Sequence, residues 1–155
     1  MKIFSYKTML NETGNPYIIK ETCYNVDGRK KFQHPDDIRN FVCNSLGIQN
    51  CAEEYVYVLC FDNAGHLIGC FELTHGTVSA SLISTRELFQ KALMIGAVMI
   101  ALTHNHPGND PTPSKQDIDV TKKINAACEI MDVKLLDHII VTRDNYVSMK
   151  ECEII

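Results

Sequence analysis

Short runs of β-branched and aromatic residues alternate along the chain with stretches whose apolar residues recur every three or four positions. That mixture of periods predicts both strands and helices. Residues 16–26 are rich in Tyr, Ile, Thr and Val and predict a strand, with Asp27-Gly28 as its turn. Pro35, Asp36 and Asp37 open a short helix over residues 36–46, and Gly47 suits its left-handed stop. Residues 54–61 (EYVYVLCF) hold strand formers without clean alternation, the pattern of a strand covered on both faces. Residues 62–65 form a turn, and residues 66–73 return as the second strand of a hairpin.

Further along, Ser84-Thr85-Arg86-Glu87 has the spacing of a capping box and starts a helix that ends at Gly96. Residues 97–103 (AVMIALT) predict a buried strand, followed by a Pro- and Gly-rich loop over residues 104–113. Ser114 begins the next helix, where Thr121, Ile124, Cys128 and Met131 share one face. Residues 134–142 and 146–149 predict a terminal hairpin across Arg143-Asp144-Asn145. Strands and helices follow no strict βα repeat, so the expected architecture is α/β: a mixed sheet with antiparallel hairpins, flanked by helices. The first 33 residues carry the weakest pattern, and neither an internal repeat nor a linker interrupts the chain.

Composition changes this picture little. Of 155 residues, 45% are hydrophobic and 22% charged, the balance of an ordinary globular domain. Apolar runs stop far short of the roughly 18 residues that span a bilayer, and the N-terminal segment lacks the apolar core of a signal peptide. No membrane association and a cytoplasmic location are the expectations. The net charge of −4 lacks the basic surplus that phosphate backbones demand, so direct nucleic-acid binding is not expected. Arg29, Lys30 and Lys31 form a local basic run that reads as a solvated loop. The seven cysteines contain no Cys-x-x-Cys pair, and most have apolar neighbours; buried, reduced thiols are expected. Oligomeric state leaves no readable pattern.

The candidate chemistry lies in Thr103-His104-Asn105-His106-Pro107 and Ser114-Lys115-Gln116-Asp117. On an extended strand, residues two apart point the same way, so His104 and His106 can address one point. Asp117 falls in the first turn of the next helix, and the intervening loop can fold it back toward them. Two imidazoles and a carboxylate are the three protein ligands expected of zinc with one position left for water. Each part alone has a structural explanation: a histidine pair bonded to loop backbone, or a Ser-x-x-Asp cap. Their combination at the end of a buried strand favours a metal.

This segment resembles the Jab/MPN (JAMM) metalloprotease pattern, an upstream Glu followed by His-x-His-x7-Ser-x-x-Asp. Within that superfamily it is similar to the bacterial RadC branch, which carries His-Asn-His-Pro. The likeness extends from Glu54 to the C-terminus, through Gly76-Thr77, Arg86-Glu87-Leu88-Phe89, Leu136-Asp137-His138-Ile139-Ile140 and Tyr146-Val147-Ser148. It implies a single Jab/MPN-like (deaminase-like) α/β domain over residues 46–155. Residues 1–45 are then an N-terminal extension, a strand plus a short helix, packed on the core. Two departures stand out. Pro107-Gly108-Asn109-Asp110 replaces the branch's Pro-Ser-Gly-Asp, and the first 45 residues are too few for the helix-hairpin-helix domain of full-length RadC proteins.

The resemblance assigns His104, His106 and Asp117 to one zinc ion per chain. Ser114 becomes a hydroxyl that assists the oxyanion or the water, and an upstream Glu becomes the proton carrier. Glu53 and Glu54 both stand near that position, and the family spacing favours Glu54. The implied activity is that of a zinc-dependent hydrolase, a metallopeptidase or isopeptidase acting on a protein or peptide. The alternative is a RadC-like accessory protein of DNA repair or mobile elements without catalysis. A metal-dependent nuclease fits poorly, because phosphate chemistry on hard metals favours carboxylate-rich sites. A zinc deaminase would need His-x-Glu and Pro-Cys-x-x-Cys, which are absent. Asp137-His138 lies inside the apolar run 135–141 and is expected to be a partnered structural pair; His66 and His75 read as surface or loop residues.

Overall fold

The most apolar runs of the sequence become the centre of one mixed sheet. A computed structural model describes residues 1–26, 31–76 and 83–155. Its strands are β1 (Lys2–Leu10), β2 (Pro16–Asn25), β3 (Glu54–Phe61), β4 (Leu67–Gly76), β5 (Met99–Asn105), β6 (Lys134–Val141) and β7 (Tyr146–Ser148). They lie in the order β2-β1-β4-β3-β5-β6-β7. Three helices cover them: α1 (Pro35–Phe41), prolonged by a π-helical turn over Val42–Leu46, then α2 (Thr85–Met94) and α3 (Lys115–Ile130). The turn expected at Asp27-Gly28, the basic pair Arg29-Lys30 and Thr77 fall outside the described residues.

β3 shows why its sequence does not alternate. Val56, Val58 and Cys60 face one core, with Ile100 and Leu102 of β5, Leu88 and Phe89 of α2, and Val120, Ile124 and Cys128 of α3. Leu59 and Phe61 face a second core, with Ile139 and Val141 of β6 and Ile38, Phe41 and Val42 of α1 and its extension. Helices thus cover both faces, and every position along the second half of β3 is buried. Among the described residues, no helix is long and apolar enough to cross a membrane.

β5 pairs antiparallel with β3 and parallel with β6, with α3 as the crossover between β5 and β6. The strand runs two residues past the expected end. His104 and Asn105 lie opposite Ile140 and Val141 of β6, which hold them in the ladder rather than in the loop.

The N-terminal segment also differs from expectation. β1 had no clear strand pattern, yet it pairs antiparallel with β2 and parallel with β4. The join to β4 needs Gly69: a Cβ there would enter the Tyr6 ring and stand 3.2 Å from the Phe4 carbonyl oxygen. All seven cysteines are free thiols. Cys60, Cys70 and Cys128 are buried as expected, and burial pushes the Cys70 thiol up to about 12. Cys43 and Cys51 are only half-buried, packed against the second core, and Cys23 and Cys152 are exposed.

Candidate metal centre

The centre forms where β5 runs out beneath the first turn of α3. His104, on β5, is 1% exposed and points toward the α2/α3 side of the sheet. One residue past the strand, the His106 N–H still donates to the Val141 carbonyl at 3.0 Å, so the backbone stays extended and both imidazoles converge. Their Nε2 atoms are 3.0 Å apart.

Asp117 arrives from the opposite direction. Ser114 is the N-cap of α3, and its Oγ accepts from the Asp117 N–H at 3.1 Å. Asp117 in return accepts at Oδ2 from the Ser114 N–H (2.8 Å) and the Ser114 hydroxyl (2.6 Å). This capping box fixes the carboxylate at the positive end of a helix dipole. Oδ1 lies 3.4 Å from His104 Nε2 and Oδ2 lies 3.5 Å from His106 Nε2.

These residues fit a metal. One donor atom from each of His104, His106 and Asp117 lies within 4.8 Å of the others. Ligands about 2.0–2.1 Å from a tetrahedral ion would be separated by roughly 3.3 Å, close to the spacings found. The His106 Nδ1 faces the Asp110 carbonyl at 2.8 Å, and a carbonyl can only accept. That places the proton on Nδ1 and leaves the Nε2 lone pair directed at the cluster. Burial opposes ionisation of Asp117, but in the metal-free protein the hydrogen bonds that His104 and His106 donate when their imidazoles are protonated, with those from Ser114, outweigh it and hold the carboxyl well below its usual range. The hydrogen bond to Asp117 raises the His106 pKa against burial, and the charge of Glu54 adds to that rise.

Glu54 is the first residue of β3 and half-buried, whereas Glu53 precedes the strand and is exposed. Val56 lies opposite His104 in the antiparallel pair, so Glu54, two residues earlier and on the same face, stands toward His106. Asn105, which sequence reasoning passed over, anchors this segment. Its side chain points away from the histidines and is 1% exposed. Its Oδ1 accepts from the Tyr55 N–H at 2.7 Å, and its Nδ2 donates to the Glu53 carbonyl at 2.9 Å. The backbone on both sides of Glu54 is therefore held by one amide.

His138 is the second residue sequence reasoning underread. It is fully buried, with Nε2 2.8 Å from His104 Nδ1 and Nδ1 2.6 Å from Thr121 Oγ1. Burial, then the neighbouring His104, pushes its pKa well below the ordinary value. Asp137 points to the opposite side of β6 and is a structural partner as expected. It accepts from the Ser148 hydroxyl at 2.6 Å and from the Lys150 N–H at 3.1 Å. His66 bonds Asp62, and His75 lies on the extended end of β4 against Glu72; neither approaches the cluster.

A mixed sheet between helices, with two histidines at a strand end and an aspartate at a helix start, defines an α/β domain of the JAB/MPN class. The chain belongs to the RadC-like JAB domain family, whose model matches residues 32–154. It is similar to a UPF0758 protein of Carboxydothermus hydrogenoformans, 40% identical over 129 residues, which cover 82% of this chain and 56% of that protein. A UPF0758 protein of Bordetella avium is 36% identical over 124 residues, 80% of this chain and 54% of its own length. A third, from Clostridium novyi, is 32% identical over 144 residues, 93% of this chain and 57% of its own. The chain thus spans a little over half the length of these relatives. The JAB superfamily includes metalloproteases, while the names of these relatives state no activity.

Two predictions follow from this geometry. Replacing Asn105 with Ala strands the Tyr55 N–H and the Glu53 carbonyl and should cost about 1–3 kcal/mol, measured by urea unfolding. An Asn105→Ala midpoint equal to that of the parent would show that the β3 segment is held by other contacts. The second concerns pH in metal-free protein. The depressed Asp117 pKa contributes stability that is complete above its unfolded value of about 3.9 and lost as the pH falls through the folded value. The raised His106 pKa contributes stability complete below about 6.5 and lost as the pH rises through its folded value. Both contributions are complete only between about pH 4 and 6.5, so urea midpoints should decline on either side of that window. Asp117→Asn should flatten both limbs; an unchanged profile in that variant would assign them to other groups.

Proposed function

We propose that the chain is a zinc-dependent hydrolase, a metallopeptidase or isopeptidase that cleaves an amide bond in a protein or peptide. The convergence of His104, His106 and Asp117 beside Glu54 carries this reading. Two imidazoles with one carboxylate suit zinc better than the hard, oxygen-preferring cations. When bound, zinc supplies Lewis acidity and an acidified water. Glu54 receives the water's proton and passes it to the leaving amine, as a positioned carboxylate can. His106 keeps its lone pair inward by donating Nδ1–H to Asp110, and Asn105 keeps Glu54 in register with the histidines. Ser114 holds Asp117 in place by giving its one hydroxyl proton to Oδ2, and it assists a developing oxyanion only by turning that proton away from the carboxylate. The net charge of −4 argues against a nucleic-acid substrate.

Metal analysis should return one zinc per chain, lost in the His104→Ala, His106→Ala double variant. Each face of the sheet has its own apolar core, so chelation should leave the fold intact, unlike a zinc finger. Glu54→Gln should keep zinc and fold while turnover drops about 10²–10⁴-fold. The assay is mass spectrometry of peptides released from a proteome, wild type against Glu54→Gln. A full zinc complement with identical peptide profiles would leave the alternative, a RadC-like accessory protein without catalysis. An active Glu54→Gln beside an inactive Glu53→Gln would move the proton carrier by one residue.

Ser114 separates capping from catalysis. Ser114→Ala should cost about 0.5–2 kcal/mol through loss of the cap. Ser114→Asp keeps a capping oxygen but removes the hydroxyl donor and sets a second charge beside Asp117. If Ser114 assists the oxyanion, both variants should lose about 10²–10³-fold in turnover. An active Ser114→Asp protein would reduce Ser114 to a structural residue.

A further inference from the structure

We infer that His138 and Thr121 are positioning residues, a buried relay that holds His104 with its Nε2 lone pair toward the metal and ties that ligand to the backbone of Asp117. The inference rests on the metal site proposed above and concerns how tightly that site holds its ion.

The direction of every proton in the relay follows from its far end. Thr121 Oγ1 lies 2.5 Å from the Asp117 carbonyl oxygen, one helical turn earlier. Both the carbonyl and the Met149 Sδ, 3.0 Å away, can only accept, and the carbonyl is the nearer and stronger acceptor, so the Thr121 hydroxyl gives its one proton there. Its oxygen must then accept from His138 Nδ1, 2.6 Å away, which puts the His138 proton on Nδ1. His138 Nε2 is left with a lone pair, and it faces His104 Nδ1 at 2.8 Å. His104 therefore donates Nδ1–H, and its Nε2 lone pair is turned into the cluster, 3.0 Å from His106 Nε2 and 3.4 Å from Asp117 Oδ1. One backbone carbonyl thus sets the tautomers of two histidines in series.

The circuit is closed. It leaves His104 at Nδ1, the side turned away from the cluster, and returns to the peptide unit of Asp117, so the two cannot shift independently. Its members are all shielded from water: His138 and Thr121 are 0% exposed and His104 is 1%. A core needing only volume at these positions would be served by apolar side chains without desolvating three polar groups. A metal-ligating histidine, in contrast, needs its second nitrogen bound to an acceptor that fixes ring and tautomer, and loss of that partner typically costs 10–100-fold in metal affinity.

The test uses Zn²⁺ alone, titrated against a competing chelator, on the intact chain. Thr121→Val keeps the shape and deletes the hydroxyl; His138→Leu deletes both bonds; His138→Gln restores an acceptor toward His104 and a donor toward Thr121. Thr121→Val and His138→Leu should each bind zinc about 10–100-fold more weakly, with His138→Gln recovering part of the loss. A purely structural role would lower metal-free melting temperatures and leave zinc affinity unchanged, which would overturn the relay. Nitrogen NMR of the wild-type imidazoles provides a readout that survives any folding failure of the variants. His138 should carry its proton on Nδ1, with Nε2 unprotonated, and a proton found on Nε2 would overturn the assignment. Wild-type protein that takes up no zinc would sink the metal reading instead, and the tautomer measurement would then decide the relay alone.

Discussion

The last two side chains of β5 point to opposite faces because a strand alternates, and the candidate centre depends on that constraint. His104 turns toward α3, where Asp117, Thr121 and His138 surround it. Asn105 turns toward the other face and binds the backbone around Glu54. Pairing with β3 on one side and β6 on the other leaves β5 no freedom to slip, since a shift of one residue would exchange the two roles. The same ladder hydrogen bonds that stabilise the sheet therefore set the distance between a proposed proton carrier and two proposed ligands.

Asp117 carries two demands at once. As the third residue of α3 it closes a capping box with Ser114, a role that asks for a charged acceptor at a helix start. As a member of the cluster it must stay ionised although buried. The demands reinforce each other: the Ser114 N–H and hydroxyl that complete the cap also stabilise the carboxylate against desolvation. The parallel β5–α3–β6 unit brings this helix start over the carboxyl ends of its strands, where α/β sheets commonly place ligands.

Much of this was legible from residue patterns. β3 and the β6–β7 hairpin follow their runs of strand formers, and α3 starts at the Ser114 cap that its spacing announced. The His-x-His spacing correctly placed two imidazoles on one side of an extended backbone. β1 escaped because its buried face combines Ile3 with Ser5 while Phe4 and Tyr6 occupy the other side, so hydrophobicity does not alternate with burial. Asn105 and His138 were illegible for a different reason. Their partners lie 50 and 34 residues away, and a polar residue acquires such a role only when the sheet register has been set. The Asp137-His138 pair looked like a unit in sequence, but strand alternation sends its members to opposite faces and separate networks.

The N-terminal hairpin lies at one edge of the sheet. In the sheet order, β4 and β3 separate β1 from β5, so β1 and β2, which precede the start of the family match at residue 32, add to the edge remote from the cluster. Their contact with β4 depends on the close approach allowed at Gly69, and their addition covers an edge that β4 would otherwise present. The open edge moves outward to β2, a ten-residue strand that is exposed along most of its length. Such an edge invites pairing with another chain unless its residues discourage it. β2 begins with Pro16, which has no N–H to donate, and carries Lys20 and Glu21, whose charges oppose the stacking of a further strand. The hairpin thus moves the open edge from β4, which pairs with β3 beside Glu54, to β2, separated from β5 by three strands, and among the described residues the cluster is bordered by β3, the residues after β5 and the start of α3.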